Sequence, residues 1–276
     1  MASIRRFLSD TLSSLLRKTD STEKDGVGLA LGGGSVLGAA HIGVLRSLQE
    51  LDIEISAVAG TSIGAMIGAF FAFGKGWEEI RDFALDLDWM DVSKISLSKH
   101  GLLSNKKMGS RAGDFLGEVD FADASIPLRI VACDIATGEK VVFSEGKVST
   151  AIMASTCIPA VFVPVKSDGR LLVDGGIVEN VPISPLKEMD LDMIIGVDLN
   201  AKHSYKKPDS ILDVVLNALD ITLMNATHLQ TKEADLLIAP DLSDFNMIDT
   251  DQAEKLIEKG YEESKPLLEQ YLDLRD

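Results

Sequence analysis

Two short apolar runs, each ending in a glycine-rich turn and leading into a helical pattern, constrain this chain more than any other feature. Val27 to Leu31 enters Gly32-Gly33-Gly34, after which Ile42, Leu45 and Leu48 recur at helical spacing. Ala57 to Ala59 enters Gly60 to Gly64, and Ala65 to Phe73 follows as a continuously apolar helix. Two successive strand–turn–helix units predict a sheet flanked by helices.

The rest of the chain fits that frame. Trp77 to Leu87, Ile211 to Gln230 and Ala253 to Leu274 read as helices. Leu128 to Cys133 and Lys140 to Phe143 read as strands joined at Ala136-Thr137-Gly138-Glu139, and Leu171 to Val173, Met193 to Val197 and Asp235 to Ala239 as further strands. Lys94 to Met108 is polar and reads as a loop, a candidate lid. With 276 residues, 46% of them hydrophobic, one α/β domain over residues 26–276 has enough material for a sizeable core; residues 1–25 form an arm and linker.

Charge narrows the partners. The formal net charge of −16 repels phosphate backbones and disfavours nucleic acid. It is unevenly spread: Met1 to Lys18 carries +3, from Arg5, Arg6, Arg17 and Lys18 against Asp10, leaving −19 on the remainder. In that arm Ile4, Phe7, Leu8, Leu12, Leu15 and Leu16 form an apolar stripe at helical spacing. The stripe must be covered by the protein's own body, by a second copy in a homo-oligomer, or by peripheral contact of residues 4–16 with a membrane. Arg5-Arg6 is not followed by an uninterrupted apolar run of signal length, and Ala65 to Phe73 is about half of the roughly 20 residues that span a bilayer. A cytoplasmic protein, with or without peripheral membrane contact, is expected. Cys133 and Cys157 are too few for a disulfide framework and lack the spacing of a zinc site.

Gly60-Thr61-Ser62-Ile63-Gly64 matches Gly-x-Ser-x-Gly between a predicted strand and a predicted helix, the setting in which a sharp elbow exposes a serine hydroxyl. Alone, it is also an ordinary glycine-rich turn. Gly32-Gly33-Gly34-Ser35-Val36-Leu37-Gly38 can aim several backbone N–H groups into one space, which suits an oxyanion or a phosphate. A dinucleotide fingerprint starting at Gly32 would need glycine where Leu37 stands, and Asp52 precedes the second strand instead of ending it. None of His41, His100, His203 and His228 has a convincing catalytic setting: the first lies inside a helix, the next two in polar loops, the last near a helix end. Asp174 ends a predicted strand before Gly175-Gly176, where sheet enzymes present side chains to a ligand crevice. A carboxylate there can take the serine proton if desolvation raises its low reference pKa.

Taken together, Leu31 to Leu45, the Gly-Thr-Ser-Ile-Gly elbow and Val173-Asp174-Gly175-Gly176 resemble the patatin-like phospholipase family, and the likeness runs through Pro127 to Asp134, Thr137 to Glu145 and Ala154 to Pro164, covering Gly26 to Asn200. The resemblance implies a three-layer α/β/α sandwich with a central, mostly parallel sheet. It implies Ser62 as nucleophile and Asp174 as its only catalytic partner. Gly60, Thr61, Ile63 and Gly64 form the elbow, Gly32, Gly33, Gly34, Ser35 and Gly38 the oxyanion hole, and Gly175 and Gly176 the motif around the proton acceptor. The implied activity is hydrolysis of a lipid or other acyl ester through an acyl-enzyme, with no metal or cofactor. Interception of the acyl-enzyme by another acceptor would make an acyltransferase, and loss of turnover would leave a lipid-binding or regulatory protein. One departure stands out: the family commonly has arginine or lysine before the last glycine of the loop, where this chain has Leu37, which removes a positive charge expected near the oxyanion or lipid phosphate.

Overall fold

A computed structural model describes residues 26–86, 94–95, 103–202, 207–247 and 249–273. The arm and linker at 1–25, His100, His203 and residues 96–102 of the candidate lid lie outside the described residues. Strand β1 (Val27–Leu31) lies between β2 (Ile55–Thr61) and β9 (Met193–Val197), parallel to both. The sheet order is β10-β9-β1-β2-β5-β8-β7, with β5 at Leu128–Asp134, β7 at Val165–Ser167, β8 at Arg170–Asp174 and β10 at Leu236–Ile238. Strand β6 (Lys140–Phe143) also pairs with β5. Strands β10, β9, β1, β2 and β5 run parallel; β6, β7 and β8 are antiparallel to their neighbours.

Alternation along the central strands sorts the two faces. Leu29, Leu31 and Val58 enter the main core, under α1 (Ala39–Glu50), α2 (Ile63–Ala72), α3 (Trp77–Leu85) and α8 (Ala253–Asp273). Ala30, Ala57 and Ala59 point the other way and meet Val181, Ile183 and Leu186, the last on the short helix α6 (Ser184–Lys187). Methyl-sized side chains on that face let the segment after Asp174 lie close to the strands. The result is the expected three layers, one thick and one thin.

The pairing around β5 decides where the site forms. Ile130 pairs with Gly60 and Phe143, and Ala132 with Val141 and Asp174. With β6 along one side, β2 and β8 share the other and approach end to end: Thr61 is opposite Val131 and Asp174 opposite Ala132. The C-terminal ends of a parallel and an antiparallel strand therefore meet at adjacent residues of one neighbour.

Local boundaries depart from expectation in two places. Strand β2 continues through Gly60 and Thr61, so the turn is confined to Ser62 rather than spread over Gly60 to Gly64. The loop expected over Lys94 to Met108 holds a two-stranded ladder, β3 (Lys94–Ile95) with β4 (Leu103–Ser104), and its end enters α4 (Lys106–Leu116). The lysines there sit on the outer face of an amphipathic helix whose inner face buries Met108 and Ala112, and the Asn105 side chain ties the helix start to the Met153 carbonyl. Helix α5 (Val148–Ser155), too short and mixed to stand out in the sequence, packs beside it. Among the described residues, no helix is long and apolar enough to cross a membrane.

Candidate active site

Ser62 sits between β2 and α2 with φ 56° and ψ −126°, a strained backbone for a residue with a side chain. Close packing holds it there. A Cβ on Gly64 would lie 2.2 Å from the Leu31 carbonyl oxygen, so this turn of α2 rests against the end of β1 with no room for any side chain. The Ser62 N–H donates to Ser155 Oγ (2.8 Å), which itself donates to the Val131 carbonyl (2.6 Å). Ser155, at the end of α5, thus stitches the elbow to β5 where β2 stops. Thr61 Oγ1 donates to the Glu179 carbonyl (2.9 Å), joining the elbow to the segment that follows Asp174.

Asp174 ends β8 and caps a 3-10 turn at Gly175–Ile177, its Oδ1 accepting from Gly176 N–H at 2.8 Å. The Ser62 hydroxyl lies beside the same carboxylate and favours its charged form. Both residues are only 8% exposed. Burial pushes the Asp174 carboxyl up from 3.8 to about 6, against Ser62 and the Gly176 N–H, which favour the charged form. Gly175 has to be small, since a Cβ there would meet the Val131 carbonyl.

The glycine loop divides its amides between two tasks. Gly32 N–H donates to the Val197 carbonyl (3.1 Å) and Gly33 N–H to the Asn180 carbonyl (3.2 Å), so these two anchor the loop. The N–H groups of Gly34 and Ser35 have no acceptor among the described residues and open a 3-10 turn, Ser35–Gly38, at the rim of a cavity. Gly33 remains the loop residue packed against Ser62: a Cβ on it would lie 3.2 Å from the Ser62 Cβ. Gly38 packs beneath the Ile63 side chain, behind the elbow. Leu37 is 1% exposed and belongs to the main core. In this chain the position that commonly carries a cation looks away from the cavity.

The histidines play other parts. His41 on α1 is fully buried and its Nε2 donates to the Gly32 carbonyl at 2.7 Å, which fixes the tautomer because a carbonyl only accepts. Burial pushes its pKa down to about 4, so it is a neutral tether of the glycine loop, and its Nδ1 has no partner among the described residues. His228 lies in the last turn of α7 (Ile211–Gln230), near Asp198, and does not line the cavity. Burial pushes the Cys157 thiol up to about 12, which keeps it protonated. Cys133 is buried as well.

The cavity facing Ser62 and Asp174 has a volume of about 110 Å³. Leu216, Leu219, Leu223 and Met224 of α7 line it together with Asp220; Ile158 and Met247 line it as well, and Asn180 and Asn200 contribute amides; among the described residues no Lys or Arg lines it. Asn200 Nδ2 donates to the Gly33 carbonyl (2.8 Å), a second tether on the loop, and its Oδ1 is buried without a partner among the described residues. The sequence reading missed Ser155, Asn180 and Asn200. Asn180, six residues past Asp174 and two before Pro182, had a signal in its nearness to the motif; Ser155 had none, because only tertiary packing brings it to Ser62. Among the described residues there is no group of three or more His, Cys, Asp or Glu side chains that could hold a metal ion.

Comparison with known proteins gives this geometry a context. An uncharacterized NTE family protein of Mycobacterium tuberculosis is 37% identical over 206 residues, 74% of this chain and 57% of that protein. Patatin-like phospholipase domain-containing protein 7 of Rattus norvegicus is 28% identical over 184 residues, 64% of this chain and 14% of its own length. This chain thus spans little more than half the length of the first of these relatives. VipD from Legionella pneumophila shares the fold, with a TM-score of 0.57 at 15% identity over 89% of this chain and 67% of that one. The type III effector ExoU gives a TM-score of 0.50 at 14% identity over 89% and 53%. The family model for patatin-like phospholipases matches residues 29–187, from β1 past Ser62 and Asp174 to the end of α6, and on that match the chain belongs to the patatin-like phospholipase family.

Proposed function

We propose that the chain is a serine acyl hydrolase that cleaves lipid esters through Ser62 and Asp174. The observation that carries this reading is the juxtaposition itself: a strained, buried serine lies beside a desolvated carboxyl whose pKa is pushed up to about 6, both lining one largely apolar cavity. A carboxylate of ordinary acidity is a weak base for a hydroxyl; one near 6 remains ionised at neutral pH and holds a proton more readily once it receives it. Family membership and the two relatives named for lipid or NTE-type proteins support the substrate class.

In this mechanism Ser62 Oγ attacks the ester carbonyl carbon as its proton passes to Asp174. The carbonyl oxygen gains the negative charge and is held by the free amides of Gly34 and Ser35. Collapse breaks the bond to the alcohol, which leaves with the proton from Asp174. Water then attacks the acyl-Ser62 carbonyl while Asp174 takes its proton, and the carboxylic acid departs as the proton returns to Ser62 Oγ. Every proton moves between Asp174 and an oxygen, so no histidine is needed. The apolar wall from α7 accommodates the acyl chain. With no Lys or Arg among the described lining residues, the acyl group is the main determinant of binding and an anionic head group is secondary.

Hydrolysis of p-nitrophenyl butyrate and octanoate tests this, alongside covalent labelling by a fluorophosphonate. Wild type is expected to turn over and label, Ser62→Ala to do neither, and Asp174→Asn to lose at least ~10³-fold in kcat. Activity should rise with pH through about 6, as Asp174 ionises, and then level off. Full activity in Asp174→Asn would sink the two-residue mechanism.

A further inference from the structure

The peptide groups of the glycine loop differ in how they are held. A trans peptide points its C=O and its N–H in opposite directions, so a partner gripping one end aims the other. Among the described residues every peptide bond is trans. The peptide joining Gly32 to Gly33 is gripped at both ends, its carbonyl by His41 Nε2 (2.7 Å) and its N–H by the Asn180 carbonyl (3.2 Å). The next two are gripped at the carbonyl end, and their N–H groups, on Gly34 and Ser35, are the two without an acceptor among the described residues. Their holders differ in kind. The Gly34 carbonyl takes the Leu37 N–H (3.1 Å), a contact within the 3-10 turn itself, whereas the Gly33 carbonyl takes Asn200 Nδ2 (2.8 Å), a side chain 167 residues away in sequence.

Asn200 stands in the turn that leaves β9, and that turn is fastened to the sheet. The Asn200 N–H donates to Asp198 Oδ1 (2.9 Å), and the Asp198 N–H donates to the Ile238 carbonyl at the end of β10 (2.9 Å). Between the two, Leu199 is buried against Gly34, where a Cβ would lie 3.0 Å from the Leu199 Cδ1. One side chain thus packs on the Gly33–Gly34 segment and the next grips its carbonyl. All three residues lie past residue 187, where the match to the family model ends. Asn200 Oδ1, moreover, is buried without a partner among the described residues. An orphaned acceptor costs the folded chain at least as much as the Nδ2 bond returns, so for stability alone an apolar side chain of this size would serve as well.

We infer that Asn200 is a positioning residue: by holding the Gly33 carbonyl it turns the Gly34 N–H toward the oxygen that becomes an oxyanion when Ser62 attacks. The inference rests on the ester-hydrolase reading for its purpose, and it adds to that reading a group that acts through the loop peptide.

The test replaces Asn200 in the full chain with Leu and with Asp, which keep its approximate size and remove the donor. With p-nitrophenyl butyrate, kcat should fall about 10- to 10²-fold in both while KM moves less than about twofold, because the oxyanion contact strengthens only as the oxygen gains charge. A trifluoromethyl ketone, whose adduct with Ser62 carries the same oxyanion, should bind more weakly by the factor lost in kcat/KM. The urea midpoint of Asn200→Leu should stay at the wild-type value, since the lost bond and the removed orphan offset each other. Independently of turnover, amide NMR spectra of chain labelled at glycine should show the Gly34 resonance displaced in Asn200→Leu. An unmoved Gly34 resonance overturns the inference, as does active protein whose kcat is retained in Asn200→Leu, which would make Asn200 a packing residue. A wild-type chain that neither turns over nor labels with a fluorophosphonate sinks the hydrolase reading instead, and the Gly34 resonance then decides by itself whether Asn200 sets the peptide.

Discussion

The parallel and antiparallel halves of the sheet each supply one member of the candidate pair, Ser62 and Asp174, and they do it in different ways. In the parallel half, β1 and β2 each turn directly into the helix packed on them, and the glycine loop and Ser62 lie within those turns. The close packing that shapes the elbow, such as Gly64 against Leu31, comes from two adjacent strand–turn–helix units. In the antiparallel half Asp174 arrives more than a hundred residues later, on a strand placed only by pairing with β5. One half is positioned by local chain geometry and the other by register. The stitch between them is Ser155, whose single hydroxyl contacts both the elbow and β5.

Three sets of changes sharpen that comparison. The largest effect is expected from Gly64→Ala, which drives a methyl to 2.2 Å from the Leu31 carbonyl: the parallel half should lose about 4 kcal/mol or more of stability, read as an early midpoint in urea unfolding. A wild-type midpoint would mean that the elbow has slack that the packing does not suggest. Ser155→Ala comes next. It leaves the Ser62 N–H and the Val131 carbonyl unpaired while the two halves stay folded, so kcat for p-nitrophenyl esters should fall about 10²-fold with KM nearly constant, and Ser155→Thr should recover much of it. Equal loss in kcat and stability across both variants would reduce Ser155 to a packing residue.

The smallest effect concerns charge in the antiparallel half. The folded pKa of Asp174 is raised from 3.8 to about 6, so its favourable contribution to stability is complete below pH 4 and is lost as pH climbs through 6. Asp174→Asn should therefore be more stable than wild type above pH 6, by about 2 to 3 kcal/mol, and not below pH 4. His41 in the parallel half has the opposite sign. Its pKa falls from 6.5 to about 4, and stability is lost as pH drops through that window because the unfolded chain takes up the proton first. Urea midpoints of wild type, Asp174→Asn and His41→Gln between pH 4 and 8 would separate the two; matching profiles for wild type and Asp174→Asn would show the carboxyl to be better solvated than its burial implies.

How much of this was legible in the sequence follows the same division. Val27 to Leu31 and the run into Gly60 announced their strands because parallel strands buried on both faces are continuously apolar, and the turns were marked by glycine. Asp174 was legible through the two glycines after it. What escaped was the product of distant pairing: Ser155 and Asn200 reach the site only because β5 and β9 lie beside β2 and β1, and nothing in their neighbouring residues encodes that. The amide roles in the glycine loop were hidden for the same reason, since Gly32 and Gly33 donate to Val197 and Asn180, over 140 residues away. Lys106 to Met108 looked like loop because outward lysines on a half-buried helix outweigh a single Met108 in a short window.

The end-to-end approach of β2 and β8 on β5 has a kinetic consequence. The elbow can form as soon as its two neighbouring units collapse, but Ser62 meets Asp174 only when a loop of roughly forty residues closes between β5 and β8 in the correct register, a slow step for a chain. A slip of one residue would turn Asp174 to the opposite face. During refolding, helical ellipticity should therefore return first and fluorophosphonate reactivity last, making the reactive serine a clock for the final pairing event in the sheet.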